Sequence, residues 1–245
     1  MKNESTHTKT KDYSDEIERW EEENVLQLAH HFHKLNTGKG QFERTSNFSM
    51  NKTDAVVNFN EIKQSIKKLR IYMALNAQDK SEFTFFPVLQ VLDVDDKKHF
   101  FKLNSIIAKR PNHGKSEVVP ELFKNIICKN WDTIDINLID DLFTARTKSD
   151  IGFEATVRVK YYEICDEIIE KVIKKLDVIN GITLYSGIDM NKFSDKYQIS
   201  FTPVLGFEYE NKDTDNETFG LKGILEFSKG KEVFIEYTSP CPPTC

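Results

Sequence analysis

Apolar residues change their spacing several times along this chain, and each change predicts an element. Ile17, Trp20, Leu28, Phe32 and Leu35 fall near one helical face, with Glu21, Glu22 and Glu23 on another. A helix is therefore expected from a Ser14 cap to about Leu35, ended by Asn36-Thr37-Gly38, with a polar loop from Gly38 to Asn51. Phe59, Ile62, Ile66 and Leu69 form a second helical stripe. After it come an expected strand at 70–76, a turn, and a strand at 82–94 that is apolar on both faces around Phe85 and Phe86. A short return follows at 99–103.

The stretch 104–150 reads as partly helical. Pro120 suits a first helical position ahead of Leu122, Phe123, Ile126 and Ile127, and Ile136, Ile139, Leu142 and Phe143 suggest a further short helix. Val157, Val159 and Tyr161 alternate, and then Ile164, Ile168, Val172, Ile173 and Leu176 take up helical spacing. Strands are expected at 182–188 and 197–210. A closing hairpin should join 221–227 to 232–237 across Ser228-Lys229-Gly230.

Three short strings recur in order. Ile66-Lys67-Lys68-Leu69, Ile71 to Asn76 and Phe86-Pro87-Val88-Leu89 return as Ile173-Lys174-Lys175-Leu176, Leu184 to Asp189 and Thr202-Pro203-Val204-Leu205. Their collinearity predicts an α+β protein of two related lobes, each an antiparallel sheet with a covering helix, plus an N-terminal helix and a helical connector. The expected divisions are a disordered tail (1–13), a helix and loop (14–51), a first repeat lobe (52–104), the connector (105–150) and a second lobe (151–245). Pro87 and Pro203 cannot donate to a ladder, so a bulge or an edge is expected at both. A quasi-symmetric groove is expected between the lobes.

Composition narrows the function classes. With 245 residues, 39% hydrophobic and 30% charged, the chain can build an ordinary core. A net charge of −5 with interspersed lysines argues against nucleic acid, although Lys109, Arg110, His113 and Lys115 make a local patch. No signal-like apolar stretch opens the chain and no apolar run is long enough to span a bilayer, so no membrane partner is expected and a cytoplasmic location is. Cys128, Cys165, Cys241 and Cys245 then read as thiols.

Candidate chemistry is sparse. Gly114-Lys115-Ser116 resembles the end of a phosphate loop, but Lys109 stands where that loop needs glycine. His30 and His33 could share a face and hold a metal, but the sequence names no third ligand and a solvated helix end explains them better. Asp93, Asp95 and Asp96, like Glu208 to Glu217, form acidic turns without a calcium-loop glycine. No Ser-His-Asp or Cys-His set can be assembled. Ser239-Pro240-Cys241-Pro242-Pro243-Thr244-Cys245 is a stiff tail whose two thiols could bind a soft metal, form a redox pair, or simply tuck Cys241 into the body.

The Ile71-Tyr72 strand with its helix, the apolar strand after it and the terminal Cys-Pro-Pro-Thr-Cys resemble small uncharacterised bacterial proteins that end in a CPPxC signature. That resemblance implies no activity and assigns no functional residue. The reading is a soluble, non-catalytic binding or interaction protein with an unknown protein or small-molecule partner and no cofactor. The alternatives are a metal- or thiol-dependent enzyme using Cys241 and Cys245 or His30 and His33, and a subunit of a larger assembly.

Overall fold

The computed structural model describes residues 11–36, 38, 40–51, 54–77, 82–106, 121–148, 154–189, 200–210, 218–221, 224–226, 232–236 and 239–241. One order of elements runs through the chain twice. The first pass opens with α1 (Ser14–Glu22), a 3-10 turn (Val25–Gln27), α2 (Leu28–His31) and a hairpin of β1 (His33–Asn36) and β2 (Gln41–Arg44). It continues through β3 (Asn47–Asn51), α3 (Asp54–Ile62), a 3-10 turn (Lys63–Ser65), β4 (Ile66–Leu75), β5 (Phe85–Asp93), β6 (Lys98–Lys102) and β7 (Asn104–Ile106).

The second pass has α4 (Glu121–Thr133), two 3-10 turns (Ile136–Leu138 and Asp140–Phe143) and a hairpin of β8 (Thr144–Lys148) and β9 (Glu154–Arg158). Next come β10 (Tyr161–Ile164), α5 (Asp166–Lys171), a 3-10 turn (Ile173–Lys175), β11 (Val178–Tyr185), β12 (Ile188–Asp189), β13 (Ser200–Phe201) and β14 (Val204–Glu210). An added hairpin, β15 (Thr218–Leu221) and β16 (Ile224–Glu226), precedes β17 (Glu232–Glu236) and β18 (Ser239–Cys241). The N-terminal segment and the connector thus occupy the same place in the two passes.

The passes exchange strands. One antiparallel five-stranded sheet has the order β18-β10-β4-β5-β6 and the other β17-β14-β11-β3-β7. The third strand of each pass pairs with the long strand of the other: β10 with β4 (Tyr161 opposite Tyr72) and β3 with β11 (Asn47 opposite Tyr185). Each sheet therefore takes strands from both halves.

Reciprocal clasps lock this exchange. Trp20 Nε1 donates to Val159 O at 2.9 Å, and Trp131 Nε1 donates to Thr45 O at 3.0 Å. Arg158 donates to Trp20 O (3.3 Å) and Glu23 O (3.1 Å), while Arg44 donates to Trp131 O (2.5 Å) and Ile134 O (2.9 Å). These bonds satisfy carbonyls at helix ends, which a buried terminus requires. One connected core lies behind the clasps, with Phe48 and Phe85 edge to face at 5.3 Å and Phe32 stacked on Phe143 at 5.2 Å. Because that core joins residues of both sheets, the space between the lobes is filled; the expected groove is not there.

Several local departures have physical causes. The expected single helix from Ser14 breaks after Glu22, because the Asn24 side chain accepts from Leu26 N and starts a new turn. The loop expected at 38–51 contains β2 and β3, with Gly40 at φ 63° in the tight connection of β1 to β2. Ile66 and Leu69, read as helical, open β4. A bulge between Ile66 and Lys68 sets both on the core face three residues apart, and β11 repeats it with Ile179 and Ile182. The Ile-Lys-Lys-Leu match is then fortuitous, since Ile173–Lys175 is a 3-10 turn.

Pro87 lies in the interior strand β5, next to edge strand β6, with no bulge beside it and opposite Met73. Its missing N–H faces the point where β6 leaves the ladder: Leu103 N donates to Pro87 O, and the chain then crosses to the other sheet as β7. Pro203 falls in the gap between β13 and β14. β17 pairs with β14, not with the 221–227 segment, because Val233 and Ile235 belong to the shared core.

Candidate functional site

The residues singled out by sequence do not assemble. His30 is exposed. His33 Nδ1 meets Ala29 O at 2.6 Å and its Nε2 accepts from Arg44 Nε at 2.8 Å, so both ring nitrogens are engaged in holding β2 against α2. Burial, with Arg44 beside it, pushes the His33 pKa below its ordinary value. Cys241 is in β18, opposite Tyr161, and Cys245 lies outside the described residues. So do the 107–120 segment with its basic patch, and Asp213, Asp215 and Glu217. Cys128 and Cys165 are half-buried thiols. Asp93 is occupied: its carboxylate accepts from Asp95 N and Lys97 N and meets His99 Nε2 at 2.8 Å. Among the described residues no group of three or more His, Cys, Asp or Glu is arranged to hold a metal.

Chemistry not anticipated gathers on the outer faces of the two sheets, where α1 and α4 make equivalent contacts. Under α1 the space is filled. Tyr13 packs edge to face on Phe86 at 6.0 Å, and Ile17 joins it against Ala74, Val88 and Phe100. Under α4, Lys124 stands seven residues before Trp131, as Tyr13 does before Trp20, and Cys128 stands where Ile17 does. Tyr185, opposite Val204, matches Tyr72, opposite Val88. The smaller side chains leave a cavity of about 40 Å³ lined by Ser46, Asn47, Lys124, Asn125, Cys128, Asp132 and Tyr185.

Lys124 dominates this cavity. It is only 7% exposed, and its ammonium sits 4.7 Å from the Tyr185 ring centroid and 4.1 Å from that of Phe234. Among the described residues no hydrogen bond or ion pair holds this ammonium, and Nζ is not one of the fully buried polar atoms left without a partner, so it stays within reach of solvent. Tyr185 Oη donates to both carboxylate oxygens of Glu232 (2.8 and 3.0 Å), and burial with that carboxylate holds the phenol protonated. Gly206 makes room for the pair: a Cβ there would stand 2.0 Å from Glu232 Oε1 and 2.9 Å from the Tyr185 ring. At the far end Ser46 Oγ donates to Asp132 at 2.7 Å, in the place where Lys160 meets Glu21 at 2.5 Å in the other half.

A second polar cluster borders an open hollow of about 410 Å³ at Arg19, Glu23, Leu75 and Asn76. His31 meets Thr84 Oγ1 through Nδ1 (2.6 Å) and Glu23 through Nε2 (3.0 Å). The order hydroxyl, imidazole, carboxylate is that of an acyl-transfer relay. Thr84, however, is buried and does not line the hollow, so its hydroxyl faces no substrate space. The network ties α2 to the start of β5.

Against known proteins, the chain matches no family, no curated protein and no solved structure. No helix among the described residues is long and apolar enough to cross a membrane. Nothing in the sequence marked Lys124: its importance rests on Tyr185, Phe234 and Ser46, which are distant in the chain.

Proposed function

We propose that the protein is a non-catalytic binding protein, with its ligand site between α4 and the sheet that carries β11 and β14. The observation that supports this most is the contrast between two equivalent places. Under α1 a tyrosine and an isoleucine close the helix onto its sheet; under α4 a lysine and a cysteine border a small cavity beside the apolar cluster of Ile127, Tyr185, Val204 and Phe234. A largely buried lysine whose ammonium meets no acceptor among the described residues suits an incoming ligand better than it suits packing. The doubled order of elements is consistent with duplication of an ancestral unit whose second copy kept or acquired the cavity.

Titrating the ¹⁵N-labelled full chain with a fragment set of acids, amides and amines tests this. Ligands should move the amide signals of Asn125, Cys128 and Tyr185. Cys128→Ile, which copies the filling by Ile17, should abolish those shifts while leaving the thermal midpoint unchanged or higher. If no fragment moves those amides, the site is structural and the reading fails.

A further inference from the structure

Resting on that reading, we infer that the α4 cavity takes its ligand through a carboxylate, with Lys124 as the counter-ion. The ammonium carries three donors and, among the described residues, meets two aromatic faces, which stabilise the charge but accept no conventional hydrogen bond. A carboxylate supplies what is absent, and a charge-assisted bond to it is the strongest contact this ammonium can make.

The nearby acidic groups do not compete for Lys124. The Glu232 carboxylate is held by the Tyr185 hydroxyl through both oxygens. Asp132 lies two helical turns further along α4, about 12 Å along its axis, and accepts from Ser46. The Lys124 end is therefore the positive end of the cavity. Asn47 and Asn125 also line the cavity, and a side-chain amide can donate to a carboxylate oxygen.

Size agrees with a head group rather than a whole metabolite. A space of about 40 Å³ corresponds to about three waters at roughly 10–15 Å³ each, which is the room a carboxylate and its first carbon need. The rest of such a ligand must lie outside the cavity.

The experiment compares acetate and propionate with acetamide and tetramethylammonium at constant ionic strength, reading the Asn125, Cys128 and Tyr185 amides of the full chain. Acetate and propionate should shift them, acetamide and tetramethylammonium should not. Lys124→Met should weaken carboxylate binding about tenfold or more, and Lys124→Arg should retain it. Should Lys124→Met fail to fold, Cys128→Ile supplies the second arm, losing carboxylate binding with Lys124 present. Equal shifts with acetamide, or carboxylate binding undiminished in Lys124→Met, overturn the carboxylate assignment and leave a binding site of another class. Silence from every probe of either charge removes the site along with its ligand class.

Discussion

His31 and His33 show how a residue's role turns on what surrounds it. His31 is buried and His33 half-buried, both are hydrogen-bonded, and burial lowers both pKa values from the ordinary 6.5 despite Glu23 beside His31. A histidine whose folded pKa is depressed binds fewer protons than in the unfolded chain. Its contribution is present above pH 6.5 and is lost as pH falls below it toward the folded pKa. The urea midpoint should therefore drop between pH 7.5 and pH 5.5, and His31→Asn should flatten that dependence. An unchanged slope in the variant would assign the proton uptake to other groups. The sequence drew attention to His30 and His33 as neighbours on a helix; α2 ends at His31, so His33 already belongs to β1 and turns toward Arg44. Lys124 shows the reverse case, because an isolated lysine in a charged chain is indistinguishable from a solvated one until its aromatic neighbours are known.

Among the elements, the two tryptophan clasps are the test of how the halves hold each other. Trp20→Phe keeps most of the packing but leaves Val159 O without its donor, which should destabilise the protein by about 1–3 kcal/mol in denaturant melts. Arg158→Met should cost at least as much, since it abandons the carbonyls of both Trp20 and Glu23. Values near zero for both would mean that the aromatic core alone sets the geometry. Many elements were legible from spacing: the start of α1, the long strands around Phe85 and Leu205, and the helical turns at 136–143. The errors came where two periods coincide. Ile66 and Leu69 are three apart, which reads as a helix, yet a bulge produces the same spacing in a strand, and only the pairing with β5 separates the two. The proline rule failed for a related reason. A proline can occupy a central strand if its neighbour leaves the ladder at that point, and the departure of β6 at Leu103 cannot be read from Pro87.

As a whole molecule, the chain resembles two subunits joined end to end, each giving its third and last strands to the other's sheet. Neither half holds a complete five-stranded sheet. Cutting the folded chain at a protease site introduced within 107–120 should leave two fragments that co-elute and unfold in one transition, separating only in denaturant. Fragments that part under native conditions would refute the interdependence. What the sequence determined by itself was the class of the fold, because burial demands periodic apolar residues and those leave a trace in one dimension. The tertiary structure alone decided which strands pair across the halves, that aromatic rings of both sheets share one core, and that a small cavity lies beside α4. Those outcomes depend on contacts between residues far apart in the chain. Arg44 and Arg158, or Lys124 and Phe234, carry no mark of one another until the sheets bring them together.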